Sequence, residues 1–152
     1  MLSGILLAGG KSSRMGKDKA LIKVNDKPLF SYALKILEHF TEDIIISSNA
    51  QNFPEKKYKI VPDEIPGKGP AIGILSSLKC IKYNKAIVLS CDMPAMSIDF
   101  ISYLVKNSGN YNIVVGNDKN KYPQPLAGIY SISVLNDLDQ LIHKEVLKMS
   151  EI

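Results

Sequence analysis

The sequence predicts a three-layer α/β domain with a mainly parallel β-sheet. Short apolar runs, at residues 4–7, 43–48 and 86–90, alternate with longer segments in which apolar residues recur at helical spacing. The links between these segments are short, which favours strands joined by helices that cover both faces of the sheet. At 152 residues the chain is long enough for a proper core, and we expect residues 1–152 to form a single domain.

The expected elements follow one another in a regular order. An extended piece at 20–24 precedes a helix that begins at Lys27-Pro28, because proline suits the first helical position, and ends at Phe40. The run at 86–90 is the most apolar and is expected at the centre of the sheet. The remaining predictions are strands at 43–48, 59–61, 112–115 and 126–130, helices at 71–83, 98–107 and 134–149, and a polar turn at 116–122.

Composition and charge exclude several classes of protein. Hydrophobic residues make up 45% and charged residues 22% of the chain, as in an ordinary globular protein. No apolar stretch approaches the length of a membrane span, and a net charge of +4 from scattered lysines disfavours a nucleic-acid partner. Cys80 and Cys91 lack metal-binding spacing and predict buried free thiols. We expect a cytoplasmic protein with no membrane and no nucleic-acid partner.

The first loop carries the strongest functional signal. The apolar run at 4–7 leads into a segment with three glycines, three lysines and Arg14, the only arginine in the chain. Glycines let backbone N–H groups approach an anion, and a guanidinium favours planar contacts with phosphate. The segment matches neither the Walker A loop nor the dinucleotide fingerprint. It therefore indicates a polyphosphate site of another kind, the alternative for Arg14 being an ordinary surface position.

The segment from Leu7 to Gly16, LAGGKSSRMG, with Asp18-Lys19 after it, resembles the signature loop of nucleotidyltransferases that activate sugars and cofactors. It is most similar to that of the molybdenum cofactor guanylyltransferases, the MobA-like family. The resemblance implies a Rossmann-like nucleotidyltransferase fold. It also implies that the loop, Leu7, Ala8, Gly9 and Gly10 included, wraps the nucleotide and that Arg14 and Lys19 hold its phosphates. The Gly9-Gly10 pair favours the guanylyl branch, since cytidylyl relatives more often have Ala before Gly.

Small polar residues follow the strand at 43–48. Ligands of open parallel sheets gather at the carboxyl ends of the strands, so Ser47, Ser48 and Asn49 are candidate base or ribose contacts. Ordinary strand-end turn chemistry is the alternative for these residues.

Asp63 and the glycine-rich segment after it form a second candidate site. Gly67 and Gly69 precede a predicted helix, whose N-terminus favours anions. Asp63 followed by Gly69-Pro70-Ala71-Ile72-Gly73 resembles the family's Asp…Gly-Pro-Leu-Ala-Gly segment, which borders the guanine pocket. A carboxylate accepts from the N1–H and 2-amino groups of guanine together, which adenine cannot offer. The alternative is a loop aspartate that caps a turn.

Asp92 is the predicted metal ligand. It follows the apolar run at 86–90, where a carboxylate is costly unless a positive group lies beside it. Mg²⁺ is typically held by one or two carboxylates and phosphate oxygens, so Mg²⁺ on a nucleotide is the natural partner. Asp92-Met93-Pro94 also resembles the family's metal-binding Asp-x-Pro. A helix cap is the alternative role, for which Ser97 is better placed.

The segment at 123–130, PQPLAGIY, resembles a family strand on the side that takes the second substrate. The family pattern continues past the last predicted helix to an Asn-x-Asn-Thr-Pro segment. This sequence contains no such segment and is short relative to the family at its C-terminal end.

The resemblance implies transfer of GMP from GTP to molybdopterin, with release of pyrophosphate and Mg²⁺ as cofactor. Such a reaction needs positioning and charge neutralisation, which Arg14, Lys19 and Asp92 would supply, and no catalytic histidine. A monomer is expected, with proteins of molybdenum cofactor biosynthesis or acceptor proteins as candidate partners. The alternatives are a cytidylyl or sugar-1-phosphate nucleotidyltransferase and a non-catalytic nucleotide-binding paralogue.

Overall fold

A computed structural model describes residues 1–9 and 19–150. The described strands are β1 (Ser3–Leu7), β2 (Lys23–Val24), β3 (Lys27–Pro28), β4 (Ile44–Ser47), β5 (Lys59–Val61), β6 (Lys85–Ser90), β7 (Ile113–Asn117) and β8 (Pro123–Ser131). The α-helices within the same residues are α1 (Leu29–Phe40), α2 (Pro70–Leu78), α3 (Ile98–Asn107) and α4 (Leu135–His143). Short 3-10 turns at Lys19–Leu21 and Ile132–Val134 precede β2 and α4.

Six strands form one sheet in the order β5-β4-β1-β6-β8-β7. β1, β4, β5 and β6 are parallel, whereas β8 runs antiparallel to both of its neighbours. β8 reverses because a tight turn at 118–122 joins it to β7, with no helical crossover between them. The expected mainly parallel sheet is confirmed, and the apolar run at 86–90 lies inside it as β6.

The alternation of side chains along β1 explains the three layers. Leu6 packs with α1 and α3 on one face, in a cluster with Leu37, Ile46 and Leu104. Ile5 and Leu7 point to the other face and pack with α2 and α4. Since a strand buried on both faces has no polar side to show, it appears in the sequence as an unbroken apolar run.

Several boundaries differ from the sequence expectation. Residues 19–21 form a 3-10 turn rather than an extended piece, and its Ala20 is buried in the core. α2 ends at Leu78 rather than near residue 83, because the backbone N–H groups of Lys82 and Tyr83 are drawn to the side chains of Asp43 and Ser3. The expected helix toward residue 149 ends at His143.

The end of α4 has a local cause. Glu145 takes a left-handed conformation with φ of 61°, and the N–H of Val146 donates to the carbonyl of Leu141 at 2.9 Å. This arrangement satisfies the last helical carbonyls and turns the chain away from the helix axis. Among the described residues, no helix is both long and apolar enough to cross a lipid bilayer.

Candidate active site

The carboxyl ends of four parallel strands bring the predicted site residues to one edge of the sheet. Hydrogen bonds continue the pairing past the strand ends: Cys91 N to Leu7 O at 3.0 Å, Ala8 N to Ser47 O at 2.9 Å, and Ser48 N to Val61 O at 3.0 Å. The backbone that follows each strand is therefore held in place before any ligand binds. Side chains carried just beyond these ends start from a rigid scaffold.

Asp92 lies two residues beyond the end of β6 and is held by two donors. Lys19 Nζ donates to Oδ2 at 2.7 Å, and Ser90 Oγ donates to Oδ1 at 2.7 Å. The side chains of Lys19 and Asp92 are 48% and 36% exposed, so the ion pair opens to solvent. Residues 73 positions apart in the chain thus meet in one polar cluster at the edge of the sheet.

The neighbouring groups stabilise the ionised forms of both Asp92 and Lys19. Burial by itself would raise the pKa of Asp92, but the hydrogen bonds from Lys19 and Ser90 outweigh it and hold that pKa below the ordinary value. The hydrogen bond with Asp92 raises the pKa of Lys19 above its ordinary value. At neutral pH Asp92 is an anion and Lys19 a cation, which suits a site that receives a metal and a phosphate.

The donor set at Asp92 fits a metal that arrives with a nucleotide. The described residues contain no group of three or more His, Cys, Asp or Glu side chains that could hold an ion by themselves. A magnesium ion at Asp92 would therefore take its other ligands from phosphate oxygens and water, which is the usual way in which proteins bind it.

Asp63 occupies the equivalent position after β5, the outermost of the parallel strands, two residues beyond its end. Asn49 Nδ2 donates to Asp63 Oδ2 at 2.7 Å, and the backbone N–H of Asp63 donates to Asn49 Oδ1 at 2.8 Å. This reciprocal pair ties the segment after β4 to the segment after β5. It also fixes the carboxylate of Asp63 with a neutral partner, where Asp92 has a charged one.

Helix α2 packs closely against this second carboxylate. A Cβ at Gly73 would lie 2.7 Å from Ser47 Oγ and 3.3 Å from Asp63 Oδ1, so glycine permits the approach. Gly69 precedes the helix with φ of 76°, in the left-handed region that favours glycine. The segment between Asp63 and α2 thereby brings the N-terminus of the helix to the same edge of the sheet.

The other predicted residues divide into backbone and side-chain candidates. Leu7, Ala8, Ser47 and Ser48 are buried, and the Leu7 carbonyl and the Ala8 N–H are already used in the bonds between the strand ends. Gly9 is exposed at the start of the loop. Gly10 and Arg14 lie outside the described residues, and their predicted roles stay predictions.

The structure adds one residue that the sequence reasoning missed. The sequence predicts Ser90 only as the last residue of a strand, yet its hydroxyl donates to Asp92 Oδ1. The available signal was a hydroxyl only two residues before the carboxylate, since serine side chains commonly form such local hydrogen bonds at the ends of elements.

Other expectations are met away from the site. Ser97 caps α3 by accepting from Phe100 N at 3.1 Å, as predicted, which leaves that role to a residue other than Asp92. His39 and His143 both lie on helices. Neither Cys80 nor Cys91 is part of a disulfide; Cys91 is buried as expected, whereas Cys80 is only half-buried. Tyr130 is buried in β8 and donates to the carbonyl of Pro125 at 2.7 Å.

Nearly the whole chain is similar to known proteins. Residues 4–150 match the family described as the MobA-like NTP transferase domain. A relative from Clostridium perfringens, named a probable molybdenum cofactor guanylyltransferase, is 36% identical over 149 residues, which are 97% of this chain and 73% of the relative.

Two solved structures share the fold. Molybdopterin-guanine dinucleotide biosynthesis protein A from Archaeoglobus fulgidus matches with a TM-score of 0.78 at 20% identity, over 97% of this chain and 76% of that one. A protein from Aquifex aeolicus matches with a TM-score of 0.81 at 26% identity, over 97% and 78%. The predicted nucleotidyltransferase fold and family resemblance are confirmed: the chain belongs to the MobA-like NTP transferase family.

Proposed function

We propose that this protein transfers GMP from GTP to a molybdopterin-type acceptor and releases pyrophosphate. The observation that carries the proposal is the Asp92 carboxylate, held by Lys19 and Ser90 at the carboxyl end of β6. A paired anion and cation at this point suit a metal-bound triphosphate. The family and the name of the Clostridium perfringens relative favour guanylyl transfer to the molybdenum cofactor.

The reaction is an in-line displacement at the α-phosphorus of GTP. An oxygen of the acceptor's phosphate forms the new P–O bond, and the bond to the bridging oxygen breaks, so that pyrophosphate leaves with the electron pair. A phosphate nucleophile is already anionic and needs no general base. The chain's task is therefore to place the two phosphates and to offset their charge.

Lys19 supplies one of the offsetting charges. Its ammonium is about half exposed and can turn from Asp92 toward a bound phosphate. Arg14, on the loop after β1, would supply a second charge. The backbone N–H groups of the loop that follows Ala8, those of Gly9 and Gly10 included, would orient the phosphates.

Asp92 would hold the magnesium ion. When bound, Mg²⁺ neutralises charge on the phosphates and on the leaving pyrophosphate.

Asp63 would select the base. Asn49 holds one carboxylate oxygen of Asp63 and fixes the side chain beside Gly73. From that position Asp63 can accept from the N1–H and 2-amino groups of guanine. Ser47, Asn49 and Gly69 complete the proposed wall of the base and ribose site.

The proposal extends to the setting of the reaction. We place it in the cytoplasm, where thiols such as those of Cys80 and Cys91 stay reduced, and we take the acting form to be a monomer. Proteins that make or receive the molybdenum cofactor are the proposed protein partners, and neither nucleic acid nor membrane has a role.

The direct test is a turnover assay with purified protein, Mg²⁺, molybdopterin and each of GTP, CTP, ATP and UTP. Pyrophosphate release is followed continuously, and the dinucleotide product is identified by mass spectrometry. The proposal predicts release with GTP, formation of the guanine dinucleotide, and loss of both in Asp92→Asn. Asp99→Asn, an exposed change in the first turn of α3, serves as the matched control.

Each other outcome has a definite meaning. Turnover with CTP, or with a sugar 1-phosphate as acceptor, would assign the chain to a sibling activity. Nucleotide binding without pyrophosphate release under these conditions would indicate a non-catalytic paralogue and would contradict the proposal.

A further inference from the structure

The two oxygens of the Asp92 carboxylate are held by very different donors. Oδ1 accepts from Ser90 Oγ, which belongs to a residue only 8% exposed. Oδ2 accepts from the Lys19 ammonium, whose side chain is 48% exposed. The Ser90 donor is neutral and belongs to a strand of the sheet, whereas the Lys19 donor is charged and partly exposed to solvent.

Ser90 is fixed independently of the site. It is the last residue of β6, and its backbone pairs with Leu7 of β1 in the interior of the sheet. A hydroxyl donor carries no net charge, so it does not compete electrostatically with a cation on the same carboxylate. Ser90 can therefore keep its bond to Oδ1 when a metal ion is present.

Lys19 cannot share its position with a metal ion. A divalent ion on Oδ2 would stand within a few ångströms of the ammonium, where like charges repel. Lys19 has an alternative partner when the triphosphate binds, whereas Ser90 has no comparable change of partner. The two donors are thus expected to behave in opposite ways as the metal arrives.

We propose that Ser90 is a positioning residue that orients the Asp92 carboxylate, so that Oδ2 receives the metal ion in place of the Lys19 ammonium. This inference rests on the proposed function, because it requires Asp92 to be a metal ligand. Ser90 touches neither metal nor nucleotide in this account and acts through Asp92 alone.

The proposal predicts that variants of Ser90 and Lys19 change the affinity for the metal ion in opposite directions. Ser90→Ala removes the support of the ligand and should weaken metal binding about tenfold, as the loss of a partner behind a metal ligand usually does. Ser90→Thr retains a hydroxyl and should restore most of the affinity. Lys19→Met removes a competing cation from a half-exposed pair and should strengthen metal binding to the nucleotide-free chain about fivefold.

The experiment is a Mn²⁺ titration of the full chain without nucleotide, followed by nuclear magnetic resonance, because paramagnetic broadening detects the weak binding expected of a single carboxylate. Mn²⁺ broadens nearby resonances, so the backbone amides of Cys91 and Asp92 report this site apart from other surface carboxylates. Asp92→Asn gives the background. Ser131→Ala is the matched control, since Ser131 is also 8% exposed but pairs with Lys85 at the opposite end of β6.

The expected order of affinity is Lys19→Met, then the parent, Ser131→Ala and Ser90→Thr together, then Ser90→Ala. Equal titration of Ser90→Ala and the parent would overturn the role of Ser90, and no gain in Lys19→Met would overturn the displacement. If the broadening persists in Asp92→Asn, Asp92 is not the metal ligand, and the inference about Ser90 is wrong. GMP transfer is judged separately, by the turnover assay.

Discussion

Asp92 and Asp63 occupy matching positions with different surroundings. Each follows a parallel strand by two residues, at the same edge of the sheet. Asp92 is paired with a lysine and a buried hydroxyl, whereas Asp63 is paired with the amide and carbonyl groups of Asn49. The backbone places the two carboxylates in the same way, and they differ in their hydrogen-bond partners.

The difference indicates a division of labour. A carboxylate beside a movable cation suits ligands that bring their own charge, namely phosphate and metal. A carboxylate fixed by a neutral amide keeps its accepting oxygens in a set direction, which suits recognition of a hydrogen-bond pattern. We therefore propose that the triphosphate binds beside Asp92 and the base beside Asp63.

The largest expected effect is the loss of turnover when Asp92 is replaced. Asp92→Asn should lower turnover with GTP by about 10²- to 10³-fold, because a fixed charge is lost where charge develops in the reaction. Steady-state pyrophosphate release measures it, with Asp99→Asn as control. Turnover within a factor of about three of the parent's would break the assignment, since that is below the effect of losing one such group.

The next effect is on base selection. Asp63→Asn should reduce the preference for GTP over ATP by about 5- to 150-fold, the value of about 1–3 kcal/mol for a paired contact to a base edge. Calorimetric titration of both nucleotides with Mg²⁺ measures the ratio. Glu64→Gln is the control, since Glu64 pairs with Lys79 rather than with Asn49. A fall in affinity for both nucleotides by the same factor would contradict the comparison.

A smaller effect is expected from the partner of Asp63. Asn49→Ala removes the bond to Oδ2 and the acceptor for the Asp63 N–H. About 1 kcal/mol, or roughly fivefold, should be lost in GTP affinity, as for a typical hydrogen bond. Asn107→Ala removes a side-chain hydrogen bond on α3 and should leave GTP affinity unchanged. If the two variants behave alike, Asn49 has no special part in the site.

The smallest effect is on stability against pH. The pKa of Asp92 is lowered in the folded chain, so its contribution is present above the unfolded value and is lost as pH falls through the folded one. The pair is partly exposed, so screening limits its contribution to about 1 kcal/mol or less. Urea unfolding of the parent and Asp92→Asn should therefore differ most near neutral pH and converge in acid. A constant difference across that range would show that the charge of Asp92 does not stabilise the fold.

The sequence predicted what depends on periodicity and on single strong residues. Burial on both faces makes β1 and β6 continuous apolar runs, and Ser97 is a cap by its own chemistry. Asp92 was predictable because a carboxylate after an apolar strand needs a partner. The identity of that partner in the free chain was not, since Lys19 is 73 positions away and only the assembled sheet brings it close.

The ends of the helices and the pairing of side chains could not be predicted from the sequence, for the same reason. α2 ends where Asp43 and Ser3 capture the backbone of residues 82 and 83, and neither side chain is near in sequence. The reciprocal pair of Asn49 and Asp63 likewise forms only after β4 and β5 are adjacent. Local patterns indicate elements and candidate residues, and tertiary packing decides their ends and their partners.

The most direct test of this division uses ligands that carry one half of GTP each. Guanosine and inorganic triphosphate with Mg²⁺ are titrated as competitors of a fluorescent GTP analogue on the parent, Asp63→Asn and Asp92→Asn. We expect Asp63→Asn to weaken the binding of guanosine only and Asp92→Asn to weaken the binding of the magnesium triphosphate only. If either variant weakens both ligands equally, the two carboxylates do not serve separate parts of the nucleotide, and the central claim is wrong.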